Sequence, residues 1–103
     1  MEIYRKNPEL FNDKANLLKA IAHPQRLCIV KMLCHKDSIT VMDMQECLSE
    51  AQSTVSQHIA RLKAAGIISG KRKGTSIFYS IRNPQVYHLI NALVHDIFPE
   101  EGE

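Results

Sequence analysis

Gln52-Ser-Thr-Val-Ser-Gln-His-Ile-Ala-Arg-Leu62 is the stretch that decides how the rest of the chain is read. Wound as a helix, it places Val55, Ile59 and Leu62 on one apolar stripe at i, i+4, i+7 spacing, the pattern of a core-facing surface. Ser53, Gln57 and Arg61 then fall on the opposite side, with Thr54 beside them and Ser56 on the flank. That outer face carries hydroxyls, an amide and a guanidinium, and no carboxylate. Such groups hydrogen-bond to base edges and phosphates, and the N-terminal end of a helix makes first contact in a major groove. An ordinary solvated helix face can have the same composition, so the neighbouring sequence must decide.

On the N-terminal side, Thr40 offers a cap for a short helix over Val41 to Leu48, with Asp43 three residues on as a weaker form of the capping box. Glu50-Ala51 is a brief turn, and Gly66 suits the left-handed position that ends the longer helix. Short helix, tight turn, longer helix is a helix-turn-helix. After Gly66 the apolar period shortens to two. Ile67 to Arg72 and Ser76 to Ile81 read as strands joined around Lys73-Gly74-Thr75. A hairpin in this place is a wing, and its basic triplet Lys71, Arg72 and Lys73 suits a phosphate backbone or a minor groove.

The remaining segments frame that unit. Residues 1–12 read as an N-terminal arm, with Pro8 stopping regular helix. Asn12 or Asp13 can cap a helix to about Ala22 that carries Leu17, Leu18 and Ile21. Pro24 breaks it and starts a second helix, to about Cys34, burying Leu27, Ile29, Val30 and Leu33, with His23 as its structural cap. Pro84 opens a last helix to about Phe98 with a wide apolar stripe of Val86, Leu89, Ile90, Leu93 and Ile97. That stripe either covers the remaining core or packs on a partner chain, and the partner is preferred. Residues 99–103 form an acidic tail. The expected fold is mainly α with a small β-hairpin: a winged helix-turn-helix of five helices and a two-stranded wing, occupying residues 13–98.

Composition is consistent with this. A chain of 103 residues, 45% hydrophobic and 23% charged, is one ordinary soluble domain. It has no apolar run of membrane-spanning length, and Met1-Glu-Ile-Tyr-Arg-Lys lacks the apolar segment of a signal peptide. Three cysteines, an odd number without framework spacing, suggest reduced thiols in a cytoplasm. The net charge is only +2, but from Ala51 to His95 there is no Asp or Glu, while Arg61, Lys63, Lys71, Arg72, Lys73 and Arg82 lie there. A region of one sign attracts polyanions.

The order of elements, with Leu18-Lys-Ala-Ile-Ala-His-Pro-Gln-Arg-Leu27, the stretch from Gln52 to Leu62, Ala65-Gly-Ile-Ile68 and Phe78-Tyr79-Ser80-Ile81, resembles the ArsR family of dimeric winged-helix repressors over roughly Ala15 to Ile97. The resemblance implies a cytoplasmic homodimer joined through its first and last helices and bound to double-stranded DNA at an operator of imperfect two-fold symmetry. It places Gln52, Ser53, Ser56 and Gln57 against DNA, with Lys71 to Ser76 as the wing; the helical wheel independently selects Ser53 and Gln57. The expected dimer contacts are Leu17, Leu18, Val86, Leu89, Ile90, Leu93 and Ile97. No enzyme activity, cofactor or membrane association is expected, and the sequence identifies no small-molecule ligand.

Many members of that family release DNA on binding metal, and this chain departs from both familiar ligand patterns. The helix Val41 to Leu48 has one thiol, Cys47, where the family places a cysteine pair separated by one residue. At the start of the last helix stand Asn83 and Gln85, poor zinc ligands, and His95 has Phe98 rather than a ligand near it. His88 and His95 share a face but stand about 10.5 Å apart along the axis, too far for one ion, and are expected in solvent. The chain is therefore expected to be of the type lacking these metal sites. Cys28 and Cys34 lie six apart on one helix and cannot pair while it is intact. Cys34 with Cys47 is a candidate redox or soft-metal switch, against the alternative of small buried hydrophobes. A winged helix used purely for protein interaction is a further alternative, which the acid-free central region disfavours. His58, on the flank of the opening helix, reads as a packing or phosphate contact.

Overall fold

The structure, a computed structural model, describes residues 3–98; the acidic tail expected at residues 99–103 lies outside the described residues. Chain order is α1 (Ile3–Lys6), α2 (Pro8–Ile21), α3 (Pro24–His35), β1 (Ile39–Thr40), α4 (Val41–Leu48), α5 (Gln52–Ala64), β2 (Ile68–Lys73), β3 (Ser76–Ile81) and α6 (Pro84–Ile97). Six helices and three strands are therefore present among the described residues, rather than five helices and a two-stranded wing. The added helix is α1, and the added strand is β1, which pairs with the outer edge of β3 to give the antiparallel order β1-β3-β2.

The helix expected to start at Asn12 or Asp13 starts at Pro8, with Asn7 at the cap position but making no side-chain cap bond. Proline is well accommodated at the first turn of a helix, where its missing N–H would have no partner; here Pro8 starts a helix rather than stopping one.

Helix α3 is the hub. It packs against α2, α4, α5, α6 and β3, and it buries Ile29, Val30 and Leu33. The expected cap holds: His23 Nδ1 accepts the Gln25 backbone N–H at 3.1 Å, with Pro24 in the first turn. Around α3 the core collects Met44 from α4, Val55, Ile59 and Leu62 from α5, Ile67 and Ile68 at the entry to the wing, Tyr79 from β3, and Ile90 and Val94 from α6. Each large aliphatic so buried contributes about 1.5–3 kcal/mol relative to exposure, so the inward stripe of α5 is fixed strongly in rotation.

Local signals set the boundaries of the helix-turn-helix. Thr40 Oγ1 accepts the Asp43 N–H at 3.2 Å, and Asp43 Oδ2 accepts the Thr40 N–H at 3.0 Å, a complete capping box on α4. The Thr40 backbone N–H, and after it the Thr40 side chain, hold the Asp43 carboxyl below its ordinary range by hydrogen bonding to the ionised form. Helix α5 ends in a Schellman arrangement: Ile67 N–H donates to Leu62 O at 3.0 Å and Gly66 N–H to Lys63 O at 2.9 Å, with Gly66 at φ +75. The chain turns there directly into β2.

Candidate nucleic-acid interface

Helix α5 presents its polar face outward because its other face has nowhere else to go. With Val55 and Leu62 wholly buried and Ile59 nearly so, Gln52, Ser53, Ser56, Gln57 and Arg61 are exposed, and Thr54 is half-buried. The first turn of α5 holds no acidic residue, and Ala51 at its start provides no side-chain cap. The positive end of the helix dipole thus lies beside Gln52 and Ser53 without a carboxylate to neutralise it, an arrangement that favours anions.

The wing stands on the same frame. Strands β2 and β3 turn at Gly74-Thr75, with Lys73 opposite Ser76, Arg72 opposite Ile77 and Lys71 opposite Phe78. Lys71, Arg72, Lys73 and Ser76 are exposed, and Lys73 Nζ lies 5.8 Å from the centre of the Phe78 ring. Thr40 links the two halves: it pairs with Phe78 through β1 while capping α4. One residue therefore ties the orientation of the helix-turn-helix to that of the wing.

Beneath α5 lies a polar support that the sequence did not announce. His58 is buried, its ring 4.8 Å from that of His23, and its Nε2 is 2.8 Å from Gln25 Oε1. The Gln25 amide nitrogen donates to Glu50 Oε2 at 2.8 Å, which turns the amide oxygen toward His58 and requires Nε2 of His58 to carry a proton. Burial is the main cause that lowers the His58 pKa, with His23 and Arg26 adding to it and Glu50 opposing. The packing role is the one His58 plays. Its position was available in the sequence: with Val55, Ile59 and Leu62 it completes an i, i+3, i+4, i+7 set. Its hydrogen-bond partner Gln25, distant in sequence, gave no signal. Arg26 adds a further tie, donating from Nε to the Ala20 carbonyl across the α2–α3 junction.

The other candidate residues separate. Leu18, Leu89 and Ile97 are about half exposed, at 51%, 48% and 53%, while Leu17, Val86 and Leu93 are half-buried. Ile90 is wholly buried with Val94 inside the chain's own core, which removes it from any partner-facing stripe. His88 and His95 are exposed. Among the described residues no three His, Cys, Asp or Glu side chains are grouped to hold a metal ion, and no helix is long and apolar enough to cross a membrane. The thiols brought together are Cys28 and Cys47, which line one cleft, not Cys34 and Cys47. Cys34 lies about 120° round α3 from Cys28 and packs against the core, where burial raises its pKa.

A tri-helical core, a helix-turn-helix with an outward polar face, and a basic wing define a winged helix-turn-helix protein of the DNA-binding class. The chain belongs to the ArsR family of bacterial regulatory proteins, a family of transcriptional regulators rather than enzymes. The family's sequence profile matches residues 23–69. The transcriptional repressor PagR of Bacillus anthracis is 41% identical over 81 residues, 79% of this chain and 81% of PagR. Its crystal structure matches with a TM-score of 0.72 at 39% identity, over 82% of this chain and 97% of that one. HlyU from Vibrio cholerae matches with a TM-score of 0.77 at 29% identity, over 84% and 92% of the two chains. The solution structure of the homodimeric winged helix-turn-helix DNA-binding domain of Mb0332 from Mycobacterium bovis gives a TM-score of 0.80 at 27% identity, over 89% and 83%.

Proposed function

We propose that this regulator is a cytoplasmic homodimeric repressor that recognises an operator of imperfect two-fold symmetry. In this reading Gln52, Ser53, Ser56 and Gln57 enter the major groove and read base edges, Thr54 and Arg61 meet the sugar-phosphate backbone, and Lys71, Arg72, Lys73 and Ser76 carry the wing onto phosphate or into the minor groove. The observation that carries it is the exposed, carboxylate-free N-terminal face of α5, held on a frame that also fixes an exposed basic hairpin. Two copies joined through α2 and α6 would present their α5 helices about 34 Å apart, one turn of DNA. Support for that joint comes from the apolar side chains of Leu18, Leu89 and Ile97 left in solvent, and from the homodimer described for the Mb0332 domain.

Binding of operator and random duplexes over a salt series tests the assignment of roles. Gln57→Ala lowers the preference for operator by about 1–3 kcal/mol while leaving random-sequence binding unchanged. Lys71→Ala or Arg72→Ala weakens both and reduces the salt slope by about one. Equal losses on operator and random DNA for Gln57→Ala would remove that side chain from base reading.

A further inference from the structure

Between α3 and α4 the surface opens into a cleft of about 610 Å³, lined by Lys31, Met32, His35 and Ile39 together with Cys28 and Cys47. The two thiols line this one cleft although they are far apart in sequence, close enough for Cys47 to add to the burial that raises the Cys28 pKa. Cys47 is exposed and Cys28 is half-buried. Helix α3 is anchored by three buried core residues, Ile29, Val30 and Leu33, whereas α4 has one, Met44, with Val41 and Leu48 packed at the edge of the core.

We propose that Cys28 and Cys47 are a modification site, which a small hydroperoxide entering this cleft joins into an intramolecular disulfide that shifts α4 against α3. The exposed Cys47 thiol attacks the peroxide, giving a sulfenic acid on Cys47 and releasing the alcohol, or water from hydrogen peroxide. Cys28 then displaces hydroxide from the sulfenic sulfur. Its thiol proton leaves with that hydroxide as water, and the S–S bond forms. The peroxide is reduced by two electrons and the pair of thiols is oxidised by two. Burial favours the protonated form of Cys28, which fits a thiol that acts second.

Bringing the sulfurs to an S–S distance of about 2 Å requires one helix to move against the other. The helix with fewer buried anchors, α4, moves, and because α4 packs on α5, the displacement reaches the helix assigned to base reading. This last consequence rests on the proposed function; the disulfide does not.

The two are tested separately in the full chain. Cys34→Ala leaves only the proposed pair, and Cys47→Ser, at an exposed position, breaks that pair without disturbing the core. After treatment with hydrogen peroxide and alkylation, Cys34→Ala is expected to lose two hydrogen masses and take up no alkylating reagent. Digestion is expected to give one cross-linked peptide pair holding Cys28 and Cys47, which dithiothreitol separates. Cys47→Ser is expected to give no such pair. Alkylatable Cys28 and Cys47 after oxidation, oxygen added to Cys47 without a cross-link, or a disulfide between two protomers overturns the proposal. On an operator duplex the oxidised protein is expected to bind about tenfold more weakly, with full recovery in reductant. Unchanged binding with the disulfide mapped in place overturns the effect on α5. If neither redox state binds duplex DNA, the functional reading fails while a mapped disulfide keeps the modification site.

Discussion

Burying His58 on the inner side of α5, behind its exposed polar face, gives stability a pH dependence that follows from its surroundings. The ring packs on His23 and donates to Gln25, and desolvation holds its pKa below the ordinary value of 6.5. Because the folded value is lower than the unfolded one, folding is unpenalised above 6.5. As pH falls from there toward the folded value, the unfolded chain takes up a proton that the folded chain resists, and stability is lost. Thermal midpoints measured at neutral pH and near pH 5.5 are therefore expected to differ, and the difference is expected to shrink in His58→Gln. An identical acid-induced drop in His58→Gln would assign the effect to other groups. Glu50 opposes the shift, so Glu50→Gln is expected to deepen the drop slightly.

Elements with a strong local period or a strong cap were legible before the fold was known. Val55, Ile59 and Leu62 oriented α5, Thr40 with Asp43 started α4, and Gly66 ended α5, because each acts within one or two turns of chain. Strand β1 was not legible: Ile39-Thr40 is too short to show a period, and its partner lies on β3, far along the sequence. The start of α2 was misplaced because Pro8 marks either an end or a first turn, and only packing decides between them. The Cys28–Cys47 contact depends on how α3 crosses α4, which no spacing encodes.

Gly70 shows the same limit within the wing. It faces Tyr79 across the ladder, and a Cβ there would lie 2.8 Å from Cε1 of that ring and 2.9 Å from Cγ2 of Ile77. Gly70→Ala is expected to cost about 1–3 kcal/mol through overpacking, read as a lower denaturant midpoint with an unchanged m-value. A midpoint equal to that of the parent chain would mean that the Tyr79 ring moves aside freely.

For the molecule as a whole, the distribution of charge and apolar surface matters more than any one contact. The net charge is +2, yet the stretch from Ala51 to His95 is free of acid and includes both α5 and the wing. Among the described residues the exposed large apolar side chains lie off α5 and the wing, with Tyr4, Leu10, Phe11, Leu18, Leu89 and Ile97 on α1, α2 and α6, and Met42 on α4. Segregation of this kind suits a protein that uses one part of its surface for a polyanion and another for a second copy of itself. The proposed disulfide would act between these two regions, through α4. Selection of bound sequences from random duplex DNA, performed in reductant, tests this account most directly. It predicts an enriched inverted repeat whose half-sites are centred about one helical turn, 10–10.5 base pairs, or a small multiple of that apart, with enrichment lost in Gln57→Ala. Recovery of no motif, or of a lone half-site or direct repeat, would contradict a two-fold dimer reading DNA through α5.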